Sequence, residues 1–231
     1  MMPRRTAVAF ALTTALTFAA SRMPAQIAGP PEGTNSFHDV SMLKPPVGQK
    51  VAIIVFEDME CPACAASHPV ELKAAAQYHV PLVRYDFPLQ MHVWSRDAAV
   101  FARYLQDKVS PKLADDYRTA LFAQQISIGS KDDLQNFTRK FMAQHGQSMP
   151  FVVDPSGALA AQVQADYKLG ERLNVNRTPT IVVVTPTKYQ VISGNESGPS
   201  DANRLFPVLD AAVAQTKGAP AAHAVRTSAH K

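Results

Sequence analysis

Val51–Phe56 is an unbroken run of six apolar residues, mostly β-branched. A run of that length and composition predicts a strand buried on both faces. A helix-compatible stretch follows Cys61 and reaches about Tyr78. Val80–Phe87 reads as a second strand, with Arg84 and Asp86 alternating against apolar neighbours. Thr180–Val184 is a third, and Tyr189–Ile192 after Pro186 is its hairpin partner. The long interval between the second and third strands carries helical periods. Ser95 precedes Ala98, Ala102 and Leu105; Ser110-Pro111 gives an N-cap and a proline at the first helical position. Ser130 with Asp133 resembles a capping box, opening a helix with Leu134, Phe137 and Phe141 on one face and Gly146 at its close. Asp154-Pro155 opens another, which Gly170 ends. Ser200 and Asp201 open a last helix through Leu205, Leu209 and Val213, in which Pro207 should cause a kink or a delayed start. The order is an α/β core with a helical insertion at about 93–150.

Composition and charge narrow the function. With 46% hydrophobic residues in 231, the chain can bury a core. The net charge of +4 is a property of the ends: three arginines and no acid lie in residues 1–25, and Lys217, Arg226 and Lys231 lie in 217–231. The span 26–216 holds 17 basic against 19 acidic residues, so it has no basic excess for nucleic acid. Residues 1–25 read as a signal peptide, with basic Met1–Arg5, apolar Ala7–Ala20 and cleavage between about 21 and 28. An uncleaved membrane anchor is the alternative. The folded domain is set at 36–216, and 217–231 reads as a flexible tail. The compartment implied is the periplasm or another extracytoplasmic space.

The chemistry lies in Cys61-Pro62-Ala63-Cys64. The chain has only two cysteines, three apart and directly after the first strand. Random placement would give that spacing only about one time in a hundred. The strand delivers Cys61 to a helix N-terminus, where unpaired N–H groups and the helix dipole favour a thiolate. Cys64, one turn inward, should be less exposed. Cys61 is therefore expected to exchange with substrate and Cys64 to complete or resolve the disulfide. Three other readings compete. A structural disulfide would close a four-residue ring and gain little entropy. A metal site would need more ligands than His68, four residues on, can add. Inert buried thiols fit poorly with an oxidising compartment.

Phe56-x-Asp58-x-x-Cys61-Pro62-x-Cys64 resembles the thioredoxin-fold oxidoreductases of the bacterial envelope, the DsbA-like group. Pro69 matches the helix-kinking proline common in thioredoxins. Arg84-Tyr-Asp86-Phe-Pro88-Leu, His92 and Ala98-Ala99 resemble that group's segment leading into its helical insertion, and Arg177-Thr178-Pro179-Thr180 resembles its cis-proline loop. The resemblance covers roughly residues 38–216. It implies a thioredoxin-like fold with a helical insertion between the second and third core strands. It also implies a cis Pro179 against the Cys61 sulfur, with the Thr178 backbone pairing with an extended substrate. Catalysis would fall to Cys61 and Cys64, with Pro62 and Ala63 as the motif's centre. No metal or separate cofactor would be needed. Partners would be exported proteins with cysteines and a membrane redox protein for recycling.

Two departures bear on redox direction. Such families commonly carry a buried carboxylate six residues before the first cysteine; here that residue is Val55. Glu57 has the same strand parity and either substitutes or is simply solvated. The central Pro62-Ala63 lacks the histidine of the most oxidising members, and Glu60 is expected to oppose ionisation of Cys61. His92 reads as a loop or packing residue rather than a catalyst. The sequence thus indicates an exported thiol:disulfide oxidoreductase, expected to oxidise. A reductase or isomerase using the same motif remains open. So does a non-catalytic metal-binding or chaperone module.

Overall fold

β1 (Ala52–Glu57) lies inside the sheet, and all six of its residues are buried. It pairs parallel with β2 (Leu82–Asp86) on one side and antiparallel with β3 (Thr180–Val184) on the other. β4 (Tyr189–Val191) pairs antiparallel with β3, giving the order β2-β1-β3-β4. The parallel β1–β2 pair requires a crossover, which is α1 (Pro62–Tyr78). These features come from a computed structural model that describes residues 43–192 and 202–218. The proposed signal peptide, the 193–201 segment with Ser200 and Asp201, and nearly all of the tail lie outside them. Among the described residues no helix is long and apolar enough to cross a membrane.

The pleat sends alternate residues of β1 to opposite faces. Ile54 and Phe56 pack with Val182, Val184, Phe87 and Leu173, under α5 (Ala158–Arg172). Val51, Ile53 and Val55 pack with Ala74 of α1 and with Leu205 and Leu209 of α6 (Leu205–Thr216). The helical insertion has a core of its own, built on α2 (Ser95–Lys108), α3 (Pro111–Gln124) and α4 (Lys131–Gln144) around Trp94, Leu105, Tyr117 and Phe141. Met59, Cys61 and Cys64 belong to that insertion core, not to either face of the sheet. The cysteine motif therefore sits on the seam between sheet and insertion.

The caps explain where the helices begin and end. Ser110 Oγ accepts from Leu113 N, and Ser130 Oγ accepts from Asp133 N, both as expected. Asp133 closes its box one residue early, accepting from Gly129 N rather than Ser130 N. Gly146, at φ 66°, ends α4: its N–H bonds Ala143 O while Gln147 N bonds Met142 O. Pro207 falls in the first turn of α6, where its missing N–H costs nothing, so the start is delayed rather than the helix kinked. Two expectations fail. Asp154-Pro155 does not begin α5; it forms a turn, and the Asp154 carboxylate caps from a distance, accepting from Leu159 N and Ala160 N. Gly170 lies inside α5 because a Cβ there would stand 2.5 Å from Phe87 Cε2, so it permits close packing instead of stopping the helix.

Candidate active site

After β1 the chain turns through Asp58-Met59-Glu60 and reaches Cys61 in an extended conformation (φ −80°, ψ 120°) as N-cap of α1, with Pro62 at its first position. The Asp58 carboxylate holds this turn: it accepts from Glu60 N (2.7 Å), Leu89 N (2.6 Å) and His92 Nδ1 (2.7 Å). Asp58 N donates to Cys64 Sγ at 3.4 Å. Both cysteines are free thiols. The Thr178–Pro179 peptide is cis, and Cys61 Sγ faces the Thr178 carbonyl at 3.4 Å. Thus Cys61, Cys64, Thr178 and Pro179 come together across 117 residues of chain.

The two thiols are electrostatically unlike. Cys61 is lowered from 9.0 to about 6, chiefly by the Cys64 thiol hydrogen-bonding to it. Burial opposes that shift; the Thr178 side chain and the backbone N–H groups of Cys64 and Ala63 add to it. The Thr178 hydroxyl is buried and has no hydrogen-bond partner, so its proton is free to turn to a Cys61 thiolate. The Thr178 carbonyl, an acceptor, favours the protonated thiol instead. Cys64 is pushed well above 9.0 by burial, then by its bond to Cys61 and the charge there. Low dielectric penalises a thiolate with few donors, and this one is sealed. Cys61 is 8% exposed and Cys64 2%, so the expected order holds, yet Cys61 is more covered than a helix start implied. The cover comes from the insertion core around it.

Glu60 does not act as expected. Its carboxylate turns to the start of α2 and accepts from Trp94 N (2.7 Å) and Ser95 N (3.0 Å). Its charge therefore caps a second helix, in the favourable sense for the dipole. His92 lies in the loop between β2 and α2, as expected, and is paired with Asp58.

Below the cysteines lies a buried polar network. Glu57 is 2% exposed, so the solvated reading is wrong. Arg118 of α3 reaches it at 2.7 Å and also meets Asp86 of β2 at 2.8 Å. Arg84 stands 3.8 Å from Glu57, and Arg103 joins Asp86 to Asp166. One face of α1 continues the network: Cys64, Ser67, His68 and Glu71 are all buried at helical spacing. Ser67 Oγ donates to Glu71 (2.7 Å). Burial, and next the Glu57 charge, push Glu71 up to about 8. Burial and the two arginines push His68 down to about 4. Glu57, His68 and Glu71 do bring ligand atoms within 4.8 Å of one another. The cation there, however, is already the guanidinium of Arg118, with Arg84 beside it. A divalent ion would have to displace or repel both. The donor set fits an ion-pair network better than a metal.

Sequence reasoning missed Arg118, Glu71 and Gln125, because no local motif surrounds them. The available hint was two acids, Glu57 and Asp86, ending strands that must be buried, which demands cations from elsewhere.

A family model described as thioredoxin matches residues 49–190, more than half of the chain. Among curated protein sequences none matches. Solved structures resemble the whole fold. Wolbachia pipientis alpha-DsbA1 superposes with a TM-score of 0.60 at 15% identity, over 80% of this chain and 100% of that one. ScsC of Proteus mirabilis, in a transitional conformation, gives 0.55 at 15% identity, covering 72% and 69%. A periplasmic thioredoxin-like protein of Salmonella enterica serovar Typhimurium gives 0.56 at 16%, covering 74% and 88%. Identities this low speak for the fold, and the sequence match over 49–190 speaks for descent: the chain belongs to the thioredoxin family.

Proposed function

We propose that the protein is an exported thiol:disulfide oxidoreductase that uses the Cys61–Cys64 pair to oxidise cysteines of other exported proteins. The observation that carries this is the asymmetry of the two sulfurs. Cys61, at the head of α1 beside the cis Thr178–Pro179 peptide, has its thiol lowered to about 6, whereas Cys64 is sealed and pushed well above 9.0. A substrate thiolate attacks Cys61 Sγ of the disulfide form; the S–S bond breaks, and Cys64 leaves with the electron pair and takes a proton. A second substrate thiolate then attacks the substrate sulfur of the mixed disulfide. Cys61 leaves as a thiolate, the substrate gains its disulfide, and the enzyme holds two electrons as a dithiol. A membrane redox partner takes them.

Pro62 and Ala63 keep the sulfurs one turn apart, and the Thr178 carbonyl beside Cys61 suits pairing with an extended substrate segment. The chemistry needs no further cofactor. The direction follows from which form is stabilised: a favoured Cys61 thiolate favours the dithiol, so the disulfide gives up its oxidation readily. Export rests on the N-terminal segment and on the compartment of the Salmonella relative.

Refolding of a reduced, unfolded multi-cysteine protein tests the reading. The oxidised chain should accelerate native disulfide formation more than it accelerates insulin reduction. Cys64→Ala should accumulate mixed disulfides and Cys61→Ala should form few. Better trapping by Cys61→Ala, or no effect on refolding, would refute it.

A further inference from the structure

The turn that presents Cys61 is held from outside as well as from within. Asp58 fixes its start and Glu60 ties its middle to α2. The carbonyls on either side of Glu60 are bound by a third residue, from the end of α3. Gln125 opens the 3-10 turn Gln125–Ser127, and its Nε2 donates to Met59 O at 2.8 Å and to Cys61 O at 3.1 Å. Both N–H bonds of that amide are thereby used. Gln125 lies seven residues after Arg118, two helical turns along one face. Arg118 meets Glu57 and Gln125 meets Met59 and Cys61, so α3 follows the chain from the end of β1 to the reactive sulfur.

We propose that Gln125 is a positioning residue for Cys61: by pinning the carbonyls of Met59 and Cys61 it sets the orientation in which the sulfur meets the donors that stabilise its thiolate. The inference rests on the oxidoreductase reading above. The Cys61 carbonyl is the first acceptor of α1, receiving Ala65 N at 3.2 Å. Gln125 occupies its second lone pair, which fixes the peptide plane between Cys61 and Pro62. That plane decides how the N-cap side chain lies against the Ala63 and Cys64 N–H groups and the Cys64 thiol. The same two bonds keep the backbone of Glu60 in place while its carboxylate faces α2, away from the sulfur. Among charged groups at the turn, Asp58 is paired with His92 and Glu60 with the α2 backbone. Neither carboxylate takes Gln125 as a partner. What Gln125 governs is geometry.

The test is the pH dependence of Cys61 alkylation in the reduced full chain, measured for wild type, Gln125→Met and Gln125→Glu. Met keeps the length and loses the donors; Glu turns donors into acceptors facing two carbonyls. Both should move the midpoint upward from the wild-type value of about 6. The alkylation rate at pH 6.5 should fall threefold or more, Gln125→Glu at least as much as Gln125→Met. Ser127→Ala, an exposed change in the same turn, should leave the midpoint where it is. Melting temperatures taken alongside separate this from simple loosening, and Gln125 is only half-buried, so both variants should fold. If both midpoints match wild type while stability falls, Gln125 is a staple and not a positioning residue. If wild type itself titrates near 9, the oxidoreductase reading fails first.

Discussion

Replacing Glu71 by Gln should stabilise the protein, and increasingly so as pH rises. Glu71 is 1% exposed in the middle of α1, its Oε1 receives the Ser67 hydroxyl, and its carboxyl is raised from 4.5 to about 8. A group whose folded pKa is raised is favoured in its neutral form by the fold. Its contribution is fully present below the unfolded value of 4.5 and is lost as pH rises through about 8. A shift of about 3.5 units corresponds to about 5 kcal/mol when complete, at about 1.4 kcal/mol per unit. Linkage distributes that loss: about 2.5 kcal/mol between pH 5 and 7, and about 1.5 more between pH 7 and 9. Gln cannot ionise, keeps the shape, and offers the same oxygen to Ser67. Urea unfolding of both proteins at pH 5, 7 and 9 gives the difference directly, with all other titrating groups common to the two. The gap should widen from about 1 kcal/mol at pH 5 to about 3 at pH 7 and 4–5 at pH 9. A gap that stays flat within about 0.5 kcal/mol, or a Gln variant that is weaker at pH 9, would show that Glu71 is ionised in the folded chain and that its burial has been misread.

Other outcomes follow from the same geometry. Cys61 should alkylate with a midpoint near 6, leaving about nine-tenths of it thiolate at pH 7; that ionisation stabilises the dithiol by about 1.4 kcal/mol, or about 30 mV on the reduction potential. A midpoint above 8 in alkylation at graded pH would defeat this. Thr178→Val removes the hydroxyl that favours the thiolate and should raise the midpoint measurably, with little change in urea stability. Arg118→Met strips the shared cation from Glu57 and Asp86, two buried carboxylates, and should cost about 3–5 kcal/mol in urea unfolding, as expected for an uncompensated buried charge. A loss under 1 kcal/mol would mean that Arg84 and Arg103 take over both charges.

The sequence made the core strands and most caps legible because each has a local cause. The apolar run around Ile53 and Ile54, the Ser110-Pro111 cap and the Gly146 stop all act within a few residues. The cysteine motif was equally local, and its position after β1 located the site. What escaped was action at a distance. Asp154 looked like a helix start because its capping role is normally filled at the N-cap itself; here Gly157 stands at that position and the carboxylate reaches over it. Gly170 looked like a stop, since nothing nearby in sequence reveals that Phe87 presses against it. Glu60 is next to Cys61 along the chain, yet its charge faces the start of α2. A carboxylate with two N–H groups of another helix in reach goes to them.

The missing acid at Val55 illustrates the same point at the site. Val55 and Glu57 face the same side of β1, two residues apart, which is about 6.6 Å along a strand. Val55 is in the apolar layer with Ile53 and Ala74. Glu57 is at the strand end, where α3 brings Arg118 and β2 brings Arg84. An acid nearer the cysteines is therefore compatible with burial because the insertion and β2 both supply a cation there. Burial still raises the Glu57 carboxyl, and the two guanidinium charges oppose that rise without reversing it. Glu71 has a hydroxyl for a direct partner rather than a guanidinium, and burial pushes its carboxyl up to about 8. The insertion thus supplies the Arg118 cation beneath Cys64 and the Gln125 amide beside Cys61, and the two sulfurs owe their setting to it as much as to the strand and helix that carry them.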